Sequence, residues 1–273
     1  METQATRIGL WIWTTLVVLF LHVPIVIIIL YAFNKSNVQG WPITDWSTKW
    51  FGPAIHDGEM QQALFLSLKA AGLATAISLV LGSVVAFALY RARWFGRNAI
   101  SFLFILPIAL PGIITGMALN SYFTWMGSHG VPVLGHGFGL TTIVVGHATF
   151  CIVIVFNNVV ARLRRVPTSL AEASADLGAD PVQTFAFVTL PAISTALISG
   201  GLLAFALSFD EVIVTTFTAG AQNTLPIWIL GNLRLGQQLP EVNVVVFLIL
   251  LLTIIPVTIA QRLTRESGIL RTD

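Results

Sequence analysis

The sequence predicts an all-α, polytopic membrane protein with six transmembrane helices and both termini in the cytoplasm. Three observations lead there. Of 273 residues, 56% are hydrophobic and only 10% are charged, with a mean hydropathy of +0.85; the water-facing surface of a soluble domain calls for about 25% charged residues. Six apolar runs reach the length of about 18 residues that a bilayer crossing needs. The basic residues are also segregated. Arg7, Arg91, Arg93, Arg97, Arg162, Arg164, Arg165, Arg262, Arg265 and Arg271 fall on one side of a six-helix path, leaving only Lys35, Lys49, Lys69 and Arg234. An excess of Lys and Arg marks the cytoplasmic side. That rule places both termini, the second-to-third connection and the segment after the fourth span in the cytoplasm.

The first span is Ile8 to Phe33. It is longer than the roughly 7–15 apolar residues of a signal peptide core and is followed by no small-residue cleavage site, so it reads as an uncleaved helix. His22 and Pro24 interrupt it, as a membrane bundle tolerates. The polar segment Asn34 to Gln62 carries Trp41, Trp46 and Trp50 with Asp45, Lys49, Asp57 and Glu59. Tryptophans beside a span belong at the membrane surface, so this is an interfacial helix or loop, or a contact for an external partner. The second span is Ala63 to Tyr90. The third, about Ile100 to Trp125, contains Pro107 and Pro111-Gly112, and two prolines so close should bend it. A glycine-rich loop without Lys or Arg, Gly127 to Gly139, leads to the fourth span, Leu140 to Val160. Cys151 lies within that span with no second cysteine to pair with, and is expected to act as a small packing residue. The fifth span is about Ala196 to Thr218. A loop to Glu241 follows, in which Trp228 reads as an interface anchor, and the sixth span is Val242 to Gln261.

Between the fourth and fifth spans lies a polar stretch, Ser169 to Pro191. Ser169 with Glu172 three residues on is a capping box. The helix it opens runs through Leu170, Ala171, Ala173, Ala175 and Leu177, and Gly178 stands where a left-handed C-terminal cap is needed. Asp180 then serves as an N-cap, with Pro181 in the first turn and Gln183 closing a second box. The prediction is a short helix, a sharp turn and a second short helix ended by Leu190-Pro191. The first helix is small and alanine-rich, which lets another surface approach closely.

The same residues resemble the EAA loop of ABC importer permeases, E-A-A-x3-G-x9-I-x-L-P. Glu172, Ala173, Gly178, Leu190 and Pro191 match at that spacing, while Ser174 replaces the second alanine and Val188 the isoleucine. The resemblance extends from about Met60 to Gln261. It implies the ABC type I importer permease fold in a bacterial inner membrane. It further implies a first helix and extracytoplasmic segment over 1–59, a permease core over 60–262 and a cytoplasmic tail over 263–273. Within the core, the coupling loop is 162–195, whose helix around Ser169 to Ala179, with Asp176 on it, seats in an ATP-hydrolysing subunit. The implied partners are a second homologous permease, two ATP-binding subunits, an extracytoplasmic solute-binding protein and membrane lipid, with no nucleic acid. No G-x-x-x-x-G-K-[ST] phosphate loop occurs in the sequence, so ATP and Mg belong to the partner; the chain is a transport subunit with no catalytic residue, cofactor or metal of its own.

Asp210 and Glu211 fall near the middle of the fifth span, where an ionised carboxylate costs roughly 2.5–3.5 kcal/mol on insertion scales. As neighbours on a helix they point in different directions. Glu211 shares a small, polar face with Gly201, Ala204, Ser208, Thr215 and Thr218, suited to a pore wall or to close helix packing. Either one of the acids bonds a neighbouring helix, or the two attract a cationic solute, with Phe205, Phe209 and Phe217 offering cation–π surfaces. The segments Ser208 to Thr215, Gly146 to Phe150 and Pro240 to Asn243 are similar to those of spermidine and putrescine importer permeases, which implies a polyamine solute. Related permeases for ferric iron, sulfate or other solutes share the loop. His147 is then a helix-bridging hydrogen-bonder or a solute contact, and Glu241 a solute contact or a solvated acid. His22, His56, His129 and His136 lack metal-ligand spacing. A proton-coupled secondary transporter using the two acids is the competing class; an intramembrane enzyme finds no supporting motif.

Overall fold

The computed structural model describes residues 4–91, 96–131 and 137–266. Arg93, His136, Arg271 and the tail beyond Glu266 lie outside the described residues. Regular structure among the described residues is helical, apart from one antiparallel bridge between Asn34 and Trp46. Four helical runs, Thr6–Ala32, Gly58–Tyr90, Leu140–Leu163 and Pro181–Phe209, are long and apolar enough to cross a membrane. The chain divides into two compact units, 1–61 with 229–259 and 62–228 with 260–273.

The first unit begins with α1 (Gln4–Ala32), whose apolar side chains are exposed along most of its length, as a lipid-facing helix requires. The polar segment after it folds back on itself. Lys35 Nζ meets Asp45 Oδ2 at 3.1 Å, and Trp50 Nε1 donates to the Asn34 carbonyl at 3.1 Å. A short helix, α2 (Phe51–His56), brings Phe51 to Phe33, their ring centroids 5.2 Å apart. Phe247, on the terminal helix α12 (Leu239–Glu266), closes this aromatic cluster at 5.4 Å from Phe33. Asp57 Oδ1 accepts from the Glu59 and Met60 amides and starts the next helix early, so Glu59 to Gln62 are helical rather than part of the polar segment.

The second unit is built around α6 (Leu140–Leu163), the most deeply buried of the candidate spans. It packs between α3 (Gly58–Arg91) and α9 (Leu190–Phe209) through Ala86, Leu89, Cys151, Val155, Phe156, Val159, Ile193 and Ala204. Cys151 is buried in that core, its Sγ 3.3 Å from the Ala204 carbonyl. Three expectations fail here. The third span is broken rather than bent, into α4 (Arg97–Ala109) and α5 (Gly112–Ser128). Pro111 forces Leu110 to an extended conformation, φ −78° and ψ 140°, which no helix can carry through; Pro107 is absorbed inside α4. The fifth span is not continuous either: α9 stops at Phe209 and a six-residue helix, α10 (Ile213–Thr218), follows. Finally, the loop to Glu241 contains α11 (Leu225–Leu235), with Trp228 buried to 4% exposure rather than at an interface.

Small residues set how closely α10 is held. A Cβ on Gly116 of α5 would lie 2.5 Å from the Phe217 ring, and one on Gly146 of α6 would lie 3.2 Å from Val214. Gly116→Ala should therefore destabilise the protein by about 1–3 kcal/mol through overpacking, read as a lower unfolding midpoint in detergent. Gly72→Ala, with nothing within 4 Å of the added carbon, should leave the midpoint unchanged or slightly raised. Equal behaviour of the two variants would contradict this packing.

Candidate functional site

The hairpin that follows α6 forms much as its residues dictate. Helix α7 spans Ser169–Asp176. Its end is a Schellman motif: Gly178 takes φ +84°, its amide donates to the Ala175 carbonyl at 2.9 Å, and the Ala179 amide donates to Ser174 at 3.1 Å. Only a residue tolerant of the left-handed region fits there. Asp180 Oδ1 then accepts from the Val182 and Gln183 amides at 2.8 and 2.9 Å while Gln183 Oε1 accepts from the Asp180 amide, opening α8 (Pro181–Thr184). Ser174 Oγ lies 3.0 Å from Thr184 Oγ1 and pins the two helices together. The serine that departs from the alanine pattern thus has a structural task. The predicted box between Ser169 and Glu172 does not form. Thr168 holds the N-cap position in a helical conformation with no side-chain cap bond, because the chain is already turning at Pro167 and the Glu172 amide donates to the Thr168 carbonyl. Ser169, Glu172, Ala173, Asp176 and Gly178 are all exposed. So are Leu177 at 88% and Phe187 at 78%.

Leu190-Pro191 does not end the second helix. Phe185–Thr189 form a π turn, with the Leu190 amide donating to Phe185, and the chain runs on into α9. A π turn supplies the slack in the hydrogen-bond ladder that Pro191, lacking an N–H and crowding the preceding turn, would otherwise break. The junction is fastened from two sides. Arg162 Nε donates to the Ala192 carbonyl at 2.8 Å, and Phe87 of α3 meets Phe185 edge-on at 5.3 Å.

At its other end α9 stops after Phe209, with Asp210 (φ −92°, ψ 0°) as its C-cap, its amide donating to the Ala206 carbonyl. A stopped helix leaves carbonyls without partners, and a starting one leaves amides. The polar residues around the break supply partners. Glu211 Oε1 accepts from the Val214 amide at 2.9 Å and so caps α10, and Thr215 Oγ1 donates to the Glu211 carbonyl at 2.6 Å. His147 of α6 is buried to 1% exposure, with Nδ1 2.7 Å from Ser208 Oγ and Nε2 2.8 Å from Thr215 Oγ1. The far end of α10 is tied down as well. Asn120 Nδ2 donates to the Phe217 carbonyl at 2.7 Å and Thr142 Oγ1 to the Thr218 carbonyl at 2.6 Å.

This geometry separates the two acids. Glu211 is half-buried and spends its carboxylate on a helix start, whereas Asp210 is exposed at the C-terminal end of α9. The small face of Gly201, Ala204, Ser208, Thr215 and Thr218 is buried, as close packing requires. Phe209 and Phe217 flank the break, half-buried, and Phe205 stacks on Phe209 at 6.1 Å. His147 lies among these residues but is enclosed. Glu241 belongs to the other unit, half-buried in the first turn of α12. Sequence reading passed over Asn120 and Thr142; their signal is a hydrogen-bonding side chain within an otherwise apolar helix.

Residues 78–265 match the family described as "Binding-protein-dependent transport system inner membrane component". Over 240 residues the chain is 37% identical to the putrescine transport system permease protein PotI of Escherichia coli K12, an overlap of 85% of this chain and 82% of that one. It is 30% identical over 258 residues to the spermidine/putrescine transport system permease protein PotC of the same strain, covering 93% and 92%. Among solved structures it resembles a chain of a bacterial ABC transporter that imports the acidic polysaccharide alginate, with a TM-score of 0.65 at 18% identity over 97% of this chain and 98% of that one. It also resembles the MetNI methionine ABC transporter, with a TM-score of 0.60 at 20% identity over 76% and 95%. At these identities the structural likenesses speak for the fold.

Proposed function

The chain belongs to the family of binding-protein-dependent transport system inner membrane components, and from that premise we propose that it is the permease subunit of an ATP-driven polyamine importer. The observation that carries the reading is one helical run. It begins in an exposed hairpin with EAA-like spacing, continues from Pro181 to Phe209 and ends at a carboxylate-bearing break. The hairpin residues Ser169, Glu172, Ala173, Asp176 and Gly178, with Leu190 and Pro191 behind them, would take the push of an ATP-binding subunit. ATP and magnesium would be held there and not in this chain. The break would meet the solute.

Electrostatics favour a cation at that break. The C-terminal end of a helix is the negative end of its dipole, and α9 adds the Asp210 carboxylate at that end. Phe209 and Phe217 supply ring faces for an ammonium group. A putrescine or spermidine chain, cationic at intervals and apolar between, suits carboxylates next to aromatic rings, in line with the relatives at 30% and 37% identity. The assembly would comprise a second permease, two ATP-binding subunits and an extracytoplasmic binding protein. Six crossings would be made by α1, α3, the α4–α5 pair, α6, the run through α9 and α10, and α12, with both termini cytoplasmic.

Two outcomes follow for the reconstituted transporter. Gly178→Val places a branched side chain at φ +84°, a strain of about 1–2 kcal/mol, and should uncouple ATP hydrolysis from uptake while the subunits still copurify. Gly178→Asn, which tolerates that conformation, should retain more coupling; full coupling in the valine variant would refute the hairpin's role. Asp210→Asn and Glu211→Gln should each lower polyamine uptake, by about tenfold for Asp210, the order of one lost charged hydrogen bond, with the ATPase subunit still bound. Unchanged uptake in both would make the acids structural.

A further inference from the structure

The hydrogen bonds around His147 have a direction that proton counting fixes. Thr215 Oγ1 has one proton, and it is given to the Glu211 carbonyl at 2.6 Å. Toward His147 Nε2, 2.8 Å away, that oxygen can only accept, so Nε2 carries the ring proton. In a neutral imidazole Nδ1 is then an acceptor, and Ser208 Oγ at 2.7 Å is its donor. One chain of bonds runs from Ser208, the buried residue in the last turn of α9, through the ring to Thr215 and the backbone of Glu211. It crosses from one side of the helix break to the other without passing through Asp210.

No ring nitrogen remains to meet a solute, and the side chain is enclosed to 1% exposure. We infer that His147 is the positioning residue of the break: from α6 it sets the spacing of α9 and α10, and with it where Asp210 stands. The far end of α10 has its own ties through Asn120 and Thr142; among the described residues, the His147–Thr215 bond is the hydrogen bond from α6 to the end nearest the acid. Its effect on transport rests on the reading of the break as the solute site; its effect on α10 does not.

Three substitutions separate the arms of the bridge. In H147N the amide oxygen replaces Nδ1 and keeps the Ser208 arm, losing the reach to Thr215. In H147Q the amide nitrogen reaches as far as Nε2 and keeps the Thr215 arm. T215V preserves volume and removes the hydroxyl. The complete transporter in lipid nanodiscs is read by amide hydrogen exchange across Ile213–Ala219, and in proteoliposomes by the KM and maximal rate for putrescine. The expected result is about tenfold faster exchange in H147N, the order of one buried hydrogen bond lost, and at least that in T215V, which also loses the bond to the Glu211 carbonyl, with exchange across 169–184 unchanged and H147Q close to the parent protein. KM should rise about tenfold in the same two variants with the maximal rate altered less than KM. Unchanged exchange in H147N and T215V would overturn the bracing role, and a loss in H147Q equal to that in H147N would overturn the assigned direction. Faster exchange with an unchanged KM would overturn the link from brace to solute. If the parent complex moves no putrescine, the function proposed above fails, while the exchange experiment still decides whether His147 holds the break.

Discussion

An interrupted helix inside a bilayer is possible only if its freed backbone groups find partners, since each one left bare in hydrocarbon costs several kcal/mol. The side chains packed around Asp210–Val212 meet that condition. Glu211 caps the short helix it precedes, Thr215 returns a hydroxyl to the Glu211 carbonyl, and His147 reaches across from α6 to both sides of the gap. Asn120 and Thr142 hold the far end. Glycines at 116 and 146 let α5 and α6 come close enough for those short side chains to reach. Replacing any of these groups by an apolar one would leave a polar atom in the wrong solvent.

α6 links this constraint to the exposed hairpin. At its C-terminal end Arg162 bonds the carbonyl of Ala192, at its middle Cys151 meets Ala204, and nearer its start His147 meets Ser208 and Thr215. Helix α9 is therefore referenced to one buried neighbour along its length. In the proposed cycle, a push on α7 passes through α8 and the π turn into α9, and the end that moves or resists is the one bearing Asp210. The π turn is the less regular part of that run, where a change of hydrogen-bond register costs least.

Much of this was legible in the sequence. The apolar runs of the first, second and fourth spans, the left-handed turn at Gly178 and the Asp180–Gln183 box are local features whose physics lies within a few residues, and they appear as written. Part of what failed depended on partners far along the chain. Nothing between Phe209 and Val212 is a proline or glycine, so the break at Asp210 has no local signature; the residues on its two sides, Ser208 and Thr215, bond a histidine more than sixty residues earlier. The Ser169–Glu172 box lost to a turn that began at Pro167, and Pro191 was accommodated by a π turn rather than ending its helix. Trp228 has an interface residue's identity and a core residue's burial, which only tertiary packing decides.

The central claim is that ATP hydrolysis in a partner, received by the hairpin, moves a cationic solute past the break. Its most direct test uses the purified complex of this chain with its second permease and ATP-binding subunits in proteoliposomes, supplied with binding protein and radiolabelled putrescine. The account predicts uptake that requires ATP on the cytoplasmic side and continues when the proton gradient is collapsed. Uptake by this chain without the ATP-binding subunits, abolished on collapsing the gradient, would contradict it.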